Sequence, residues 1–356
     1  MIARRSDALT TLQAELLGVL LAEEAGRTWS HLSGSLSTKI VRGHKYLYFH
    51  YFEPGGRLRQ LSLGRQTPEL LALVARRQQG ANERANTLEL VKQYAAMLRA
   101  ARVPGLPHGT ARVLSALADA GLFRFGAVLV GSHAFARHGD ALGVTWPEAA
   151  WRTEDIDVAG TLEIATPELT SDVPATLESL QMGFVPVPQL DPRHPSTSFM
   201  VRGKTLRVDL LTPGRDGQVA PVPIPRFRAA AAPIKFLSLL LVEPMPAIAL
   251  HSGGATLVTV PSPARFALHK LLISQTRSLV QQMKSGKDLH QAALLLEVLA
   301  EDRPDDLSAA AQAFADSGPA VVRKVLRGLA RVEDRWPDAH AGVKMVRGEL
   351  QRGMAT

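Results

Sequence analysis

Val128-Leu129-Val130-Gly131-Ser132-His133-Ala134, Thr153-Glu154-Asp155-Ile156-Asp157-Val158-Ala159 and Leu206-Arg207-Val208-Asp209-Leu210-Leu211 are the segments on which the reading of this chain turns. The first is an apolar strand ending in Gly-Ser. The second carries two aspartates one residue apart, and the third a lone aspartate inside an apolar run. Side chains alternate along a strand, so Asp155 and Asp157 are expected on one face, with Ile156 and Val158 toward the core. Asp209 on a neighbouring strand and the same face completes three carboxylates in one pocket. Like charges cannot stand together unpaired near neutral pH, so the cluster calls for divalent cations. The competing arrangement is a salt bridge from Asp209 to Arg207 or Arg202, although Arg207 is expected on the opposite side of its strand.

Gly131-Ser132 at the strand-to-helix turn has a physical use. Glycine admits a bulky anion close to the backbone, and the helix that follows aims unpaired N–H groups and a partial positive charge at it. The Ser132 hydroxyl adds a donor.

Working outward, leucines at helical spacing predict a helix over 6–25, ended by Gly26. Runs 36–41, 46–52 and 58–63, separated by Gly43-His44 and Pro54-Gly55-Gly56, predict a three-stranded meander. Tyr46, Tyr48 and Tyr51 lie there among Lys39, Arg42, His44, Lys45, Arg57, Arg59 and Arg65. Such interleaving fits a stacking surface for single-stranded nucleic acid, and equally an ordinary solvated sheet. Thr67-Pro68 opens a helix expected to run to about Gln79, with another from Asn86 to Arg102. Pro104 to Gly109 marks a domain boundary. Beyond it helices and strands alternate, as in a mixed α/β sheet. Gly139 to Trp151 is expected to be an irregular insert. After a hairpin over 247–260, Ser262-Pro263 opens a helix expected to reach Lys284, followed by helices over 288–300, 307–316 and 320–333.

The chain has 356 residues, 46% of them hydrophobic and 21% charged, with no cysteine and a formal net charge of +8. Disulfides, thiolate chemistry and Cys-based zinc sites are excluded. The positive balance fits polyanionic partners and equally a composition rich in arginine throughout. The N-terminus lacks the apolar core of a signal peptide, and the most apolar run, 236–250, is interrupted by Glu243, Pro244 and Pro246. A cytoplasmic location with no membrane segment is therefore expected.

The three opening segments, with Val260-Pro261-Ser262-Pro263-Ala264-Arg265-Phe266-Ala267-Leu268-His269-Lys270-Leu271, resemble a bacterial branch of the polymerase-β-like nucleotidyltransferase superfamily. The branch is distantly related to AbiE-type and MenT-type toxin transferases. The resemblance covers roughly residues 115 to 300 and the N-terminal hairpin region. It implies an α/β (α+β) fold: an N-terminal helix and meander region over 1–105, a mixed-sheet catalytic core over 110–225 and a mainly helical C-terminal domain over 226–356. It also implies transfer of NMP from an NTP to an acceptor hydroxyl, with release of pyrophosphate. Asp155, Asp157 and Asp209 would hold Mg²⁺ (or Mn²⁺), with Gly131 and Ser132 on the phosphates. Lys270 would reach the triphosphate, joined by Arg277 from the same helix face. Asp288 would position the lysine, although it also stands where a helix N-cap belongs. An RNA acceptor, most simply a tRNA end, and a cognate antitoxin are the partners implied.

Two departures stand out. The connection Arg137 to Glu154, with Trp146 and Trp151, is longer than in most relatives and reads as a lid or acceptor loop. Gln291 replaces a second acid after Lys287-Asp288. His133 and His138 are expected to be structural or solvent-facing rather than catalytic. The alternatives are a nucleic-acid-binding or regulatory protein on an inactive transferase scaffold, or transfer to a protein or small-molecule hydroxyl.

Overall fold

A computed structural model describes residues 2–26, 34–52, 58–147, 150, 155–160, 172–276 and 282–355; side chains at 52, 81, 155–160, 282, 283 and 355 lie outside that description. Its centre is a seven-stranded mixed sheet built from β5 (Ala127–Val130), β7 (Asp155–Gly160), β8 (Phe184–Pro186), β9 (Ser198–Val201), β10 (Arg207–Gly214), β11 (Val222–Ile224) and β12 (Ala229–Lys235). The path runs β11-β12-β10-β7-β5, with β9 also pairing with β10 and β8 with β9. β10 is parallel to β7 and β12 and antiparallel to β9. β5 consists of four buried apolar residues, as a strand covered on both faces requires.

Around this core lie β1 (Ala3–Arg4), β6 (Val144–Thr145), the hairpin β13 (Met245–His251) and β14 (Gly254–Val260), and the meander β2 (Gly34–Val41), β3 (His44–Phe52) and β4 (Leu58–Arg65). The helices are α1 (Asp7–Ala25), α2 (Pro68–Ala100), α3 (His108–Asp119), α4 (Gly131–Ala141), α5 (Val173–Ser179), α6 (Leu237–Leu240), α7 (Pro263–Ser274), α8 (Gln282–Asp302), α9 (Pro304–Ala315), α10 (Pro319–Arg335) and α11 (His340–Ala355). One large apolar core joins the sheet, α3, α4 and helices α7 to α11. A smaller one packs Leu16 and Leu20 of α1 and Val91, Ala95 and Leu98 of α2 on Ile248 and Leu250 of the hairpin. The fold is thus α+β, as expected. Among the described residues no helix is long and apolar enough to cross a membrane.

Several boundaries differ from expectation. α2 is one 33-residue helix, capped by Thr67 Oγ1 accepting from the Leu70 N–H. Gly80 does not interrupt it, because a lone glycine costs only about 1 kcal/mol relative to alanine when no proline follows. The helix opened by Pro263 ends at Ser274, and α8 has begun by Gln282, ahead of the 288 expected. The expected insert is largely framework: α4 continues to Ala141, and Val144-Thr145 pairs with β1. Trp146 is buried, donating its indole N–H to the Phe135 carbonyl at 3.0 Å and stacking on the Phe135 ring. A side chain so engaged does not serve as a lid. Trp151 lies outside the described residues.

α4 is tied down at its far end. Arg5 donates to Gln13 and Asp140, and Arg137 pairs with the other Asp140 oxygen while donating to the Ile248 carbonyl. The one carboxylate is shared by both guanidiniums, so each buried cation has an acidic partner as well as a neutral oxygen acceptor.

The helical layer includes close backbone crossings. A Cβ on Gly342 would meet the Leu296 carbonyl oxygen at 2.4 Å, whereas one on Gly348 of the same helix would meet only an Arg352 side chain at 3.9 Å. Gly342→Ala is expected to lower unfolding stability by about 1–3 kcal/mol through overpacking. Gly348→Ala is expected to raise it by about 0.5–1 kcal/mol by removing helix-interior glycine. Urea melts of both variants check this pair of opposite signs.

Candidate functional site

The strand register makes the site. Val130 of β5 is paired with Asp157 of β7, Asp157 with Asp209 of β10, and Asp209 with Ser198 of β9. Asp155 is paired with Arg207 one row away. Register partners lie side by side across a sheet, so the positions of Asp157 and Asp209 are neighbours and Asp155 stands two residues back on the same strand. The side chains of Asp155 and Asp157 lie outside the described residues. Among the described side chains, no three of His, Asp and Glu converge as a metal-binding group.

Asp209 is described, and it corrects one expectation. Arg207 lies on the same face as Asp209, because residues two apart on a strand point the same way. Its Nε donates to Asp209 Oδ1 at 2.7 Å. Ser198 Oγ donates to the same oxygen and accepts from Arg207 Nη2 at 2.9 Å. Among the described residues nothing donates to Asp209 Oδ2. The Arg207 side chain is 42% exposed and that of Asp209 19%. The arginine therefore sits at the mouth of a hollow of about 360 Å³ lined by Ser198, Arg207, Asp209 and Leu211.

Leu211 also lines a second cleft, of about 480 Å³. Here the sequence-predicted phosphate residues meet: Gly131, Ser132, Lys270 and Asp288 all line it, with Lys235, Lys284 and Lys287. Gly131 has φ +71°, a conformation that residues with a Cβ rarely adopt, so the turn itself requires glycine. Val130 precedes the helix, and α4 presents the backbone of its first turn to the cleft. Unpaired N–H groups, the helix dipole and four lysines against one carboxylate make the cleft cationic.

Lys270 Nζ donates to Asp288 Oδ1 at 2.6 Å, with the two side chains only 10% and 4% exposed, and stands 5.1 Å from the centre of the Phe266 ring. Asp288 lies inside α8, which begins at Gln282, so it is a buried ion-pair partner and not an N-cap. Arg277 lies outside the described residues. Gln291, in place of a second acid, is buried and donates to the Ala150 carbonyl at 2.6 Å.

Three contributors went unnoticed in the sequence. Lys235 ends β12, opposite Gly214, and is half-exposed beside Asp216. Lys284 belongs to the first turn of α8, expected to start later. Ser198 belongs to no motif and reaches Asp209 only through the β9–β10 register. A lysine just past an apolar strand end was the available signal for Lys235.

His133 and His138 on α4 are both buried and not solvent-facing. His138 Nε2 lies 2.9 Å from the Pro261 carbonyl, which assigns the proton to that nitrogen, and its ring meets Phe266 edge-on. Burial pushes its pKa down to about 4, against the pull of that carbonyl. Burial also pushes His133 down to about 4, helped by the positive charges of Arg137 and Lys287.

A family model described as "Nucleotidyltransferase" matches residues 108–316, a span that holds the whole strand row and the cationic cleft. No curated protein matches the chain. Among solved structures, an antigenic nucleotidyltransferase-like protein from Paracoccidioides brasiliensis is similar at 12% identity and a TM-score of 0.37, covering 68% of this chain and 95% of that one.

The histidines make stability depend on pH in a defined direction. Unfolded histidine binds its proton near pH 6.5, whereas these two stay neutral in the fold until about pH 4. Their stabilisation is complete above pH 6.5 and lost as pH falls toward 4, by about 2 kcal/mol per histidine at pH 5. In urea melts at pH 7 and pH 5, His138→Gln is expected to lose about 2 kcal/mol less than the unmodified protein. An equal loss contradicts the assignment.

Proposed function

Since this chain belongs to the nucleotidyltransferase family, we propose that it transfers NMP from an NTP to an acceptor hydroxyl on RNA, with pyrophosphate leaving. The observation that carries the reading is the juxtaposition of the acid row with the cationic cleft, the two hollows sharing Leu211. A triphosphate in the cleft lies against Lys270 and the first turn of α4, with its α-phosphorus toward β10. Asp288 holds Lys270 in place through their buried ion pair.

Asp155, Asp157 and Asp209 are the residues that would hold Mg²⁺ (or Mn²⁺), and the ions would supply charge neutralisation on the entering and leaving oxygens. The donor set fits in one respect that can be read directly: both donors to Asp209 use Oδ1, and among the described residues Oδ2 has none. The chain's own residues do the rest. The acceptor oxygen forms its bond to the α-phosphorus as the bond to the pyrophosphate oxygen breaks, and the hydroxyl proton leaves toward Asp209. Gly131 and Ser132 hold the departing phosphates by backbone N–H and hydroxyl donors.

The Arg207–Asp209 pair is the observation that favours the second reading, a nucleic-acid-binding protein on an inactive scaffold. Its exposure weighs against a permanent clamp: the Arg207 side chain, 42% exposed, has room to turn to water or to an acceptor phosphate. The pair is a resting contact, and Asp209 would keep Oδ2 for a divalent cation while Arg207 and Ser198 hold Oδ1.

Incubation with Mg²⁺, α-labelled NTPs and total RNA tests the proposal. Label is expected on RNA with the unmodified protein, reduced about 10²-fold or more in Asp157→Asn and in Asp209→Asn. Transfer that survives both substitutions, or no transfer to RNA with any NTP, contradicts it.

A further inference from the structure

The meander β2-β3-β4 takes no part in the cleft, and its two faces differ in chemistry. Leu47 and Phe49 of the central strand are buried, and the guanidinium of Arg77 on α2 lies 4.7 Å from the Phe49 ring centre while donating to the Gly34 carbonyl. That is the inner face. Alternation places Tyr46, Tyr48 and His50 on the outer one, where all three are partly exposed.

The register arranges the outer face in rows. Tyr46 stands between Lys39 and Arg65, Tyr48 between Ser37 and Ser62, and His50 between Ser35 and Gln60. The Lys39 ammonium stands 5.0 Å from the Tyr48 ring centre and donates to Gln60, so charge and aromatic face are held together. Ser37 Oγ lies 2.7 Å from His50 Nε2. Residues 34–52 and 58–65 contain five Lys or Arg (Lys39, Arg42, Lys45, Arg59, Arg65) and no Asp or Glu. This one sheet supplies +5 in a chain whose net charge is +8.

We propose that the outer face of the meander binds single-stranded RNA, with bases stacked on Tyr46 and Tyr48 and phosphates on Lys39 and Arg65. Rings at alternate positions of a strand are about 7 Å apart, and the row of Tyr46 carries a basic residue on each neighbouring strand. Base–aromatic stacking tolerates any sequence, since every base has a π-face, and the basic flanks track the backbone. A duplex hides those base faces. An acidic peptide answers the charges but leaves the rings unused. The choice of RNA rests on the acceptor reading above, for which this sheet is a second contact on the same substrate, apart from the chemistry.

Fluorescence anisotropy with a labelled single-stranded RNA about 12 nucleotides long tests it on the full chain. Tyr46→Ala with Tyr48→Ala is expected to weaken binding at least about tenfold, and Tyr46→Phe with Tyr48→Phe to restore it. Lys39→Ala with Arg65→Ala, both exposed and therefore tolerant, is expected to lower the slope of log affinity against log salt by about 0.7 per charge. RNA affinity unchanged in both the alanine-for-tyrosine pair and the charge pair overturns the proposal. So does tighter binding of duplex RNA or polyglutamate, or equal binding of single-stranded DNA. Label transfer to RNA that persists without binding at the sheet sinks this inference alone, and binding at the sheet without transfer sinks the acceptor reading alone.

Discussion

The hydrogen-bonded register from β5 through β7 and β10 to β9 is the constraint on which the site depends. It sets Val130, Asp157, Asp209 and Ser198 in one transverse row. A slip of one residue in any of these pairings would carry the aspartate to the other face of the sheet. Two consequences follow directly. The chain leaves the row at Val130 through a glycine at positive φ, so the first turn of α4 opens beside the acids. Helix α4 is then held from behind by the Arg5–Asp140–Arg137 network, which fixes where that turn points.

The cationic cleft adds what the row lacks. A buried ion pair such as Lys270–Asp288 gains little net stability, because desolvating both ions offsets most of their attraction. Its effect is geometric: one ammonium is held against Phe266 at the floor of a cleft rimmed by Lys235, Lys284 and Lys287. On the acid side, Arg207 and Ser198 share Oδ1 of Asp209, a neutralised arrangement suited to a carboxylate among carboxylates. Both sides thus carry charge compensation, deeply buried at Lys270 and solvent-exposed at Arg207.

Much of this could be read from the chain itself, wherever a local rule acts alone. The apolar run into Gly131, the alternation around Asp157 and the Ser262-Pro263 helix start are patterns of this kind, and the family model spans the segments that carry them. Rules failed where two of them compete or where one was misapplied. Arg207 lies on the face of Asp209, as the period of two along a strand requires, and not on the opposite one. Gly80 read as a break in a helix that packing against α1 keeps whole. Trp146 read as part of a lid because its partner, the Phe135 carbonyl, is not visible in sequence. Helix α11 went unread beyond a general helical texture. Lys235 and Lys284 join the cleft through tertiary folding, from a strand end and a helix start far apart in the chain. No spacing rule connects them.

The account stands or falls on cation binding by the acids at 155, 157 and 209. Electron paramagnetic resonance of Mn²⁺ titrated into the protein, with and without NTP, measures it without requiring turnover. The account predicts bound Mn²⁺ that increases with NTP, is lost in part in Asp209→Asn, and tightens in Arg207→Ala once the competing guanidinium is gone. Mn²⁺ that stays free at every NTP concentration, or that binds equally well in Asp155→Asn, Asp157→Asn and Asp209→Asn, would contradict it.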